Sequence, residues 1–244
     1  MTVRIGSEIG TLERVICHTP GPELSVVTPT NRADYLFDDL LDEEESRAEH
    51  RVFREVLARF SDVHDVLDLL ADVLDAPEGR EFVLERADEG LRAEAEGLEG
   101  VDLARLFVHG QPAETRPASG DTLAQILNEA GYLLPPLPNL FFTRDAACVI
   151  GERVLVAAMA HAVRWTEALI MRTLFTFHPL LGHEGLVYDG ANERRFNTSI
   201  EGGDVHVLRD DLLLLGLSER TSAYGIGALS DTLFRRTGVR DVVV

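Results

Sequence analysis

The chain has 244 residues, 45% of them hydrophobic, and a formal net charge of −19. That is enough apolar material to bury a sizeable core, in one large domain or two small ones. The charge excludes a nucleic-acid partner, whose phosphates need a basic face. The apolar runs are too short for a membrane partner. Every basic residue is arginine, which excludes Schiff-base chemistry by this polypeptide.

Met1–Glu8 has no apolar stretch and no cleavage site, so no signal peptide is read and a cytoplasmic location is expected. Leu12–His18 reads as a strand that ends in the turn Thr19-Pro20-Gly21-Pro22. A helix is expected from Glu43, with Ala48, Val52, Phe53, Val56, Leu57 and Phe60 on one face. Residues 61–130 hold 17 Asp or Glu against 5 Arg, so −12 of the net charge falls there. Leucines at helical spacing in these acidic surroundings predict a small helical subdomain with a solvated surface, not an electrostatic funnel. Leu133–Pro138 is a stiff, proline-rich return.

An α/β pattern then resumes. Ala146–Ile150 and Arg153–Val156, joined by Gly151-Glu152, predict a β-hairpin. A helix follows with Trp165, Leu169, Ile170, Thr173, Leu174 and Phe177 on one face. Strands are expected near 185–188, 204–208 and 212–216, then a helix capped by Ser222, and the sequence closes on the strand-like Val239–Val244. The expected division is therefore α/β over 1–60, a helical insertion over 61–131, and α/β again over 132–244. Cys17 and Cys148 both fall in strand-like runs and read as buried thiols.

Three short segments, Pro138–Asp145, Ile200–Asp204 and Ser218–Ser222, together with Arg164, could carry chemistry. Asp145 ends an aromatic, near-continuous apolar stretch, so its carboxylate must be paired or shifted in pKa. A salt bridge to a nearby arginine or a turn cap is the commoner use of such a residue. Glu201-Gly202-Gly203-Asp204 places two acids around glycines that allow positive φ or close approach, although Gly-Gly-Asp turns are also common. Arg164 opens a helix and Arg220 follows a strand; each could fork onto a carboxylate or form an ordinary surface ion pair. The eight histidines show no metal spacing, and no metal site is expected.

Together these segments resemble arginine deiminase, of the guanidine-modifying (pentein) superfamily. The resemblance rests on Ser7–Val15 with Pro20-Gly21, Thr28–Asn31, Tyr35–Asp39, Leu133–Asp145, Ile200–Asp204 and Gly216–Ser222. It implies a partial α/β propeller of ββαβ modules carrying an inserted helical subdomain. It implies hydrolysis of L-arginine to L-citrulline and ammonia through a cysteine thiouronium intermediate, with no cofactor. Asp145 and Glu201 would hold the guanidinium, and Arg164 and Arg220 the α-carboxylate. Asn139, Phe142 and Leu36 would line the pocket, and Asp204 would support Glu201. The family's His-x-Asp element and nucleophilic cysteine would follow Val244. The expectation is therefore a binding half that a C-terminal fragment completes, with a homo-oligomer as a further option. A regulatory arginine-binding pseudoenzyme and an amidinotransferase relative are the alternatives, the latter disfavoured by the helical insertion.

Overall fold

The computed structural model describes residues 2–86, 89–95, 97–112, 132–192 and 198–244. Strand β1 (Arg14–Cys17) pairs in parallel with β2 (Asp62–Asp65), register Arg14↔Asp62 to Cys17↔Asp65. Helix α1 (Glu43–Leu57) connects them. Its first turn is fixed by Asp42, whose side chain accepts from the Glu45 N–H at 2.8 Å. The helix forms as expected, but none of its residues is buried: Val52, Phe53, Val56 and Phe60 face solvent. Periodicity decided the helix; among the described residues nothing covers its apolar stripe.

The helical segment begins at Val66, because Asp62–Asp65 is the strand paired with β1. Asp65 caps α2 (Val66–Asp75) by accepting from Leu67 N–H at 3.0 Å. Helices α3 (Pro77–Leu84), α4 (Glu89–Ala95) and α5 (Gly100–His109) follow. Residues 113–131 of the expected insertion lie outside the described residues. Leu70, Leu74, Leu103 and Val108 from these helices share one apolar cluster with Leu140, Val154, Ile170 and Leu174 of the following α/β part. Complete burial of such a side chain contributes about 1.5–3 kcal/mol, so this shared core fixes the helices against the body. Two short strands, β3 (Gln111–Pro112) and β4 (Tyr132–Leu134), pair antiparallel at the return.

Two ββαβ units of identical topology come next. In the first, β5 (Ala147–Ile150) pairs antiparallel with β6 (Arg153–Val156), helix α6 (Trp165–Phe177) crosses over, and β7 (Leu186–Asp189) adds parallel to β6. In the second, β8 (Val205–Arg209) pairs antiparallel with β9 (Leu212–Leu215). Helix α7 (Ala223–Arg236) then returns the chain to β10 (Asp241–Val243), parallel to β9. As expected, Ser222 caps α7, accepting from Gly225 N–H at 3.1 Å. The units meet where Ala158 and Ile200 exchange two backbone hydrogen bonds of 3.1 and 3.0 Å. Among the described residues no helix is long and apolar enough to cross a membrane.

Candidate active site

The turns before β5 and β8 converge on one side chain, Arg164, and the loop after β9 reaches the same cluster through Arg220, which contacts Glu201. Arg164 stands at the junction of a 3-10 turn, Ala162–Arg164, with α6, and is 2% exposed. A guanidinium that deep must be matched by acids. Glu167, one turn along the helix and equally buried, takes Nε at 3.1 Å and Nη2 at 2.8 Å. Asp145, from the helical turn Thr143–Ala146, takes Nη1 at 2.8 Å. Glu201 Oε2 lies 3.7 Å from the same Nη1, and Asn139 O accepts from Nη2 at 3.4 Å.

Glu201 is also buried. Its Oε1 accepts from the Ala160 N–H at 3.0 Å, and Arg220 Nη1 reaches Oε2 at 3.5 Å. Arg220 itself stands at the rim with its side chain 33% exposed. Asp145, at 28%, is the one acid of the three with real access to solvent.

Burial pushes the Glu167 carboxyl up to about 7 despite its bonds to Arg164, and the charges of Asp145 and Glu201 add to the rise. Burial likewise raises Glu201, against the pull of the Ala160 N–H, Arg164 and Arg220. Burial works against charge on Arg164 too, but Glu167 and Asp145 more than offset it and hold its pKa above the ordinary value.

Arg144 links the segments around Asp145 and Glu201. Its Nη2 donates to Glu8 Oε1 at 2.7 Å and to Val205 O at 2.6 Å, and its Nε to Gly202 O at 3.2 Å. Glu8 in turn accepts from Val207 N–H at 3.0 Å. Arg144 therefore ties the turn holding Asp145 to the turn following Glu201. Burial works against the Glu8 charge, but the Arg144 hydrogen bond keeps its pKa below the ordinary value.

The two glycines of the Gly202–Asp204 turn are required for space. Neither has positive φ, so the conformational reason expected for them does not apply. A Cβ on Gly202 would collide with the carbonyl oxygen of Arg144, and one on Gly203 would sit 2.6 Å from Asp145 Oδ1. Gly202→Ala should lower stability by about 2–4 kcal/mol and the melting temperature by about 5–10 °C. A thermal melt matching the parent protein would show that the turn can shift away from Arg144.

The other expected residues also gather here. Asn139 is buried and donates to Tyr35 O at 2.9 Å, which places Leu36 beside the site. Leu36 is the only non-glycine described residue with positive φ, at 67°, a conformation that costs energy and needs surrounding support. Phe142 is half exposed, its ring centroid 6.0 Å from Arg164 Cζ. Asp204 does not bond to the Glu201 side chain. It accepts from Ser218 Oγ at 2.7 Å and so anchors the loop that carries Arg220. Thr221 Oγ1, in the same loop, accepts from Glu201 N–H at 3.1 Å.

Sequence reasoning missed Glu167, Glu8 and Arg144. An acid three residues after an arginine at a helix start was the available signal for Glu167. Cys17 and Cys148 are free and buried. Burial pushes the Cys148 thiol up to about 12 and raises Cys17 as well, so neither is primed as a thiolate.

The fold is shared with enzymes that act on amidino groups. Dimethylarginine dimethylaminohydrolase from Pseudomonas aeruginosa, solved as a cysteine-to-serine variant with citrulline, aligns with a TM-score of 0.51 at 14% identity, over 96% of this chain and 61% of its own. SxtG, an amidinotransferase from Microseira wollei in the saxitoxin biosynthetic pathway, aligns with a TM-score of 0.51 at 15% identity, over 98% and 63%. At such identities the likeness defines the fold alone, and this chain spans about three-fifths of the length of those structures. The arginine deiminase family model matches residues 33–244. The chain belongs to the arginine deiminase family.

Proposed function

We propose that this chain builds the guanidinium- and carboxylate-binding part of an arginine deiminase-type site, for hydrolysis of L-arginine to L-citrulline and ammonia. The observation that carries the reading is charge. Three carboxylates, Asp145, Glu167 and Glu201, meet two guanidinium groups, Arg164 and Arg220, so with Glu167 ionised one further cation balances the cluster. Asp145 and Glu201 both approach Nη1 of Arg164, at 2.8 and 3.7 Å, and a planar guanidinium bound beside them can offer each an N–H. Arg220 at the rim would meet the α-carboxylate, with Asn139 and Phe142, both near Arg164, and Leu36 lining the site. The two consecutive ββαβ units support the α/β propeller implied by the family resemblance.

The reaction needs a thiolate that attacks the guanidinium carbon; ammonia then leaves, and water hydrolyses the thiouronium. Neither Cys17 nor Cys148 suits that role, since both thiols are buried with raised pKa. In this reading the nucleophile lies outside residues 1–244, and the residues described here bind and orient. The same observation favours the second reading, an arginine-binding protein without turnover. The reducing cytoplasm suits a chain with two free thiols.

Calorimetry with L-arginine and with agmatine, which lacks the carboxylate, tests the site. L-Arginine should bind about tenfold or more tightly than agmatine, and Arg220→Ala should remove most of that difference. In an active complex the same substitution should mainly raise KM. No binding of L-arginine would sink the reading. Citrulline formation by this chain alone would overturn the assignment of both cysteines.

A further inference from the structure

Glu167 is the most buried acid of the site, and the guanidinium clamp as proposed gives it no part. Its two oxygens hold Nε and Nη2 of Arg164. That leaves only Nη1 of Arg164 to point at Asp145, 2.8 Å away, and Glu201, 3.7 Å away. A bidentate hold of this kind fixes the plane of a guanidinium as well as its position. Were Arg164 held by Asp145 and Glu201 instead, those two acids would be fully committed to it. Glu167 draws Arg164 down, so both acids keep capacity for a second cation.

We propose that Glu167 is a positioning residue for cation binding: it holds Arg164 beneath Asp145 and Glu201 and supplies the third negative charge that makes the cluster accept one more cation. This rests on the reading that Asp145 and Glu201 hold a guanidinium. The charged groups that face Glu167 are Arg164 on its own helix side, Asp145 from the turn before β5, and Glu201 from the turn before β8. Arg220 bonds to Glu201 and stands at the rim. Burial, Arg220 and Arg164 lower the pKa of His161.

A proton exchange follows. With no cation bound, the Glu167 carboxyl titrates at about 7. Burial is the main cause of that rise, and the charges of Asp145 and Glu201 add to it; a cation between them cancels the added part, so the Glu167 pKa falls and a fraction of a proton passes to solvent as arginine binds.

The test is calorimetry of the full chain with L-arginine at pH 6, 7 and 8, at pH 7 in two buffers of different ionisation enthalpy. The expected result is release of about half a proton per arginine at pH 7 and an affinity that rises about 5- to 10-fold from pH 6 to pH 8. Glu167→Gln keeps the shape but removes the charge. It should bind about tenfold more weakly at pH 8, with less than a twofold change across the same range. Glu167→Asp should recover the pH dependence. Parental affinity and pH slope in Glu167→Gln would overturn the proposal while leaving the guanidinium site intact. If Glu167→Gln fails to fold, the buffer comparison on the parent chain decides alone, and zero proton release overturns the proposal. Absence of arginine binding by the parent chain at every pH would instead overturn the guanidinium site itself, and this proposal with it.

Discussion

Asp145→Asn should leave the chain folded and weaken its binding of L-arginine by about 30- to 1,000-fold, the range expected when one partner of a close charge pair is lost. In an active complex, turnover should fall by several orders of magnitude, because the reacting carbon is then no longer held for attack. The substitution keeps an acceptor for Arg164 Nη1 at the position now 2.8 Å away and removes only the charge. Asp145 is partly solvated, so the cost to stability should be about 1 kcal/mol. Calorimetry with a thermal melt on the same sample separates the two effects. Near-parental affinity would remove Asp145 from the clamp; a collapsed melt would make it structural.

Arg164→Met should have the opposite balance, with a large loss of stability preceding any question of binding. The substitution leaves Glu167 and Glu201 buried without their main cation and Asp145 beside them. Breaking a buried pair in this way costs about 3–5 kcal/mol, or roughly 10 °C in melting temperature for a chain of this size. The effect should depend on pH with a definite sign. Both buried acids already have raised pKa values, and removing Arg164 raises them further. The variant therefore binds protons more tightly in the folded state, and its deficit shrinks as pH falls from 8 towards 5. Melts at pH 8 and pH 5 check this. An unchanged melt at pH 8, or a deficit that grows in acid, would contradict the role of Arg164 as the counter-ion of the cluster.

Much of the site was legible because its residues sit at breaks in an otherwise regular pattern. Asp145 follows a proline and three aromatic or apolar side chains, Glu201 precedes two glycines, and Arg220 follows four leucines. A polar residue that interrupts an apolar run either is paired or has a function; Asp145 is paired, bonding to Arg164, and the proposed function gives it the second use as well. The ion-pair use and the site use were therefore not alternatives. Of the two reasons expected for Gly202 and Gly203, close approach holds and positive φ does not: the conformation is ordinary and the constraint is the backbone of Arg144 and the carboxylate of Asp145. Only the folded chain brings residues 144 and 202 together.

Glu167 shows the limit most clearly. In sequence it is one acid on a helix with an arginine three residues before it, a pattern that on most helices forms a weak surface pair. Helix α6 lies against the core on several faces, with Ala168, Leu169, Ile170, Met171 and Leu174 all buried, and this removes water from the pair. Helix α1 errs in the other direction, since its apolar stripe meets no partner among the described residues.

The sequence by itself determined most strands and helices of residues 132–244, both ββαβ units and the family, because these depend on local periodicity, caps and short motifs; it missed the strand Asp62–Asp65, whose pairing with β1 is a tertiary contact. The tertiary structure alone decided which charges meet. Burial sets the strength of each interaction, and burial depends on residues as distant in sequence as Glu8, Arg144 and Val205.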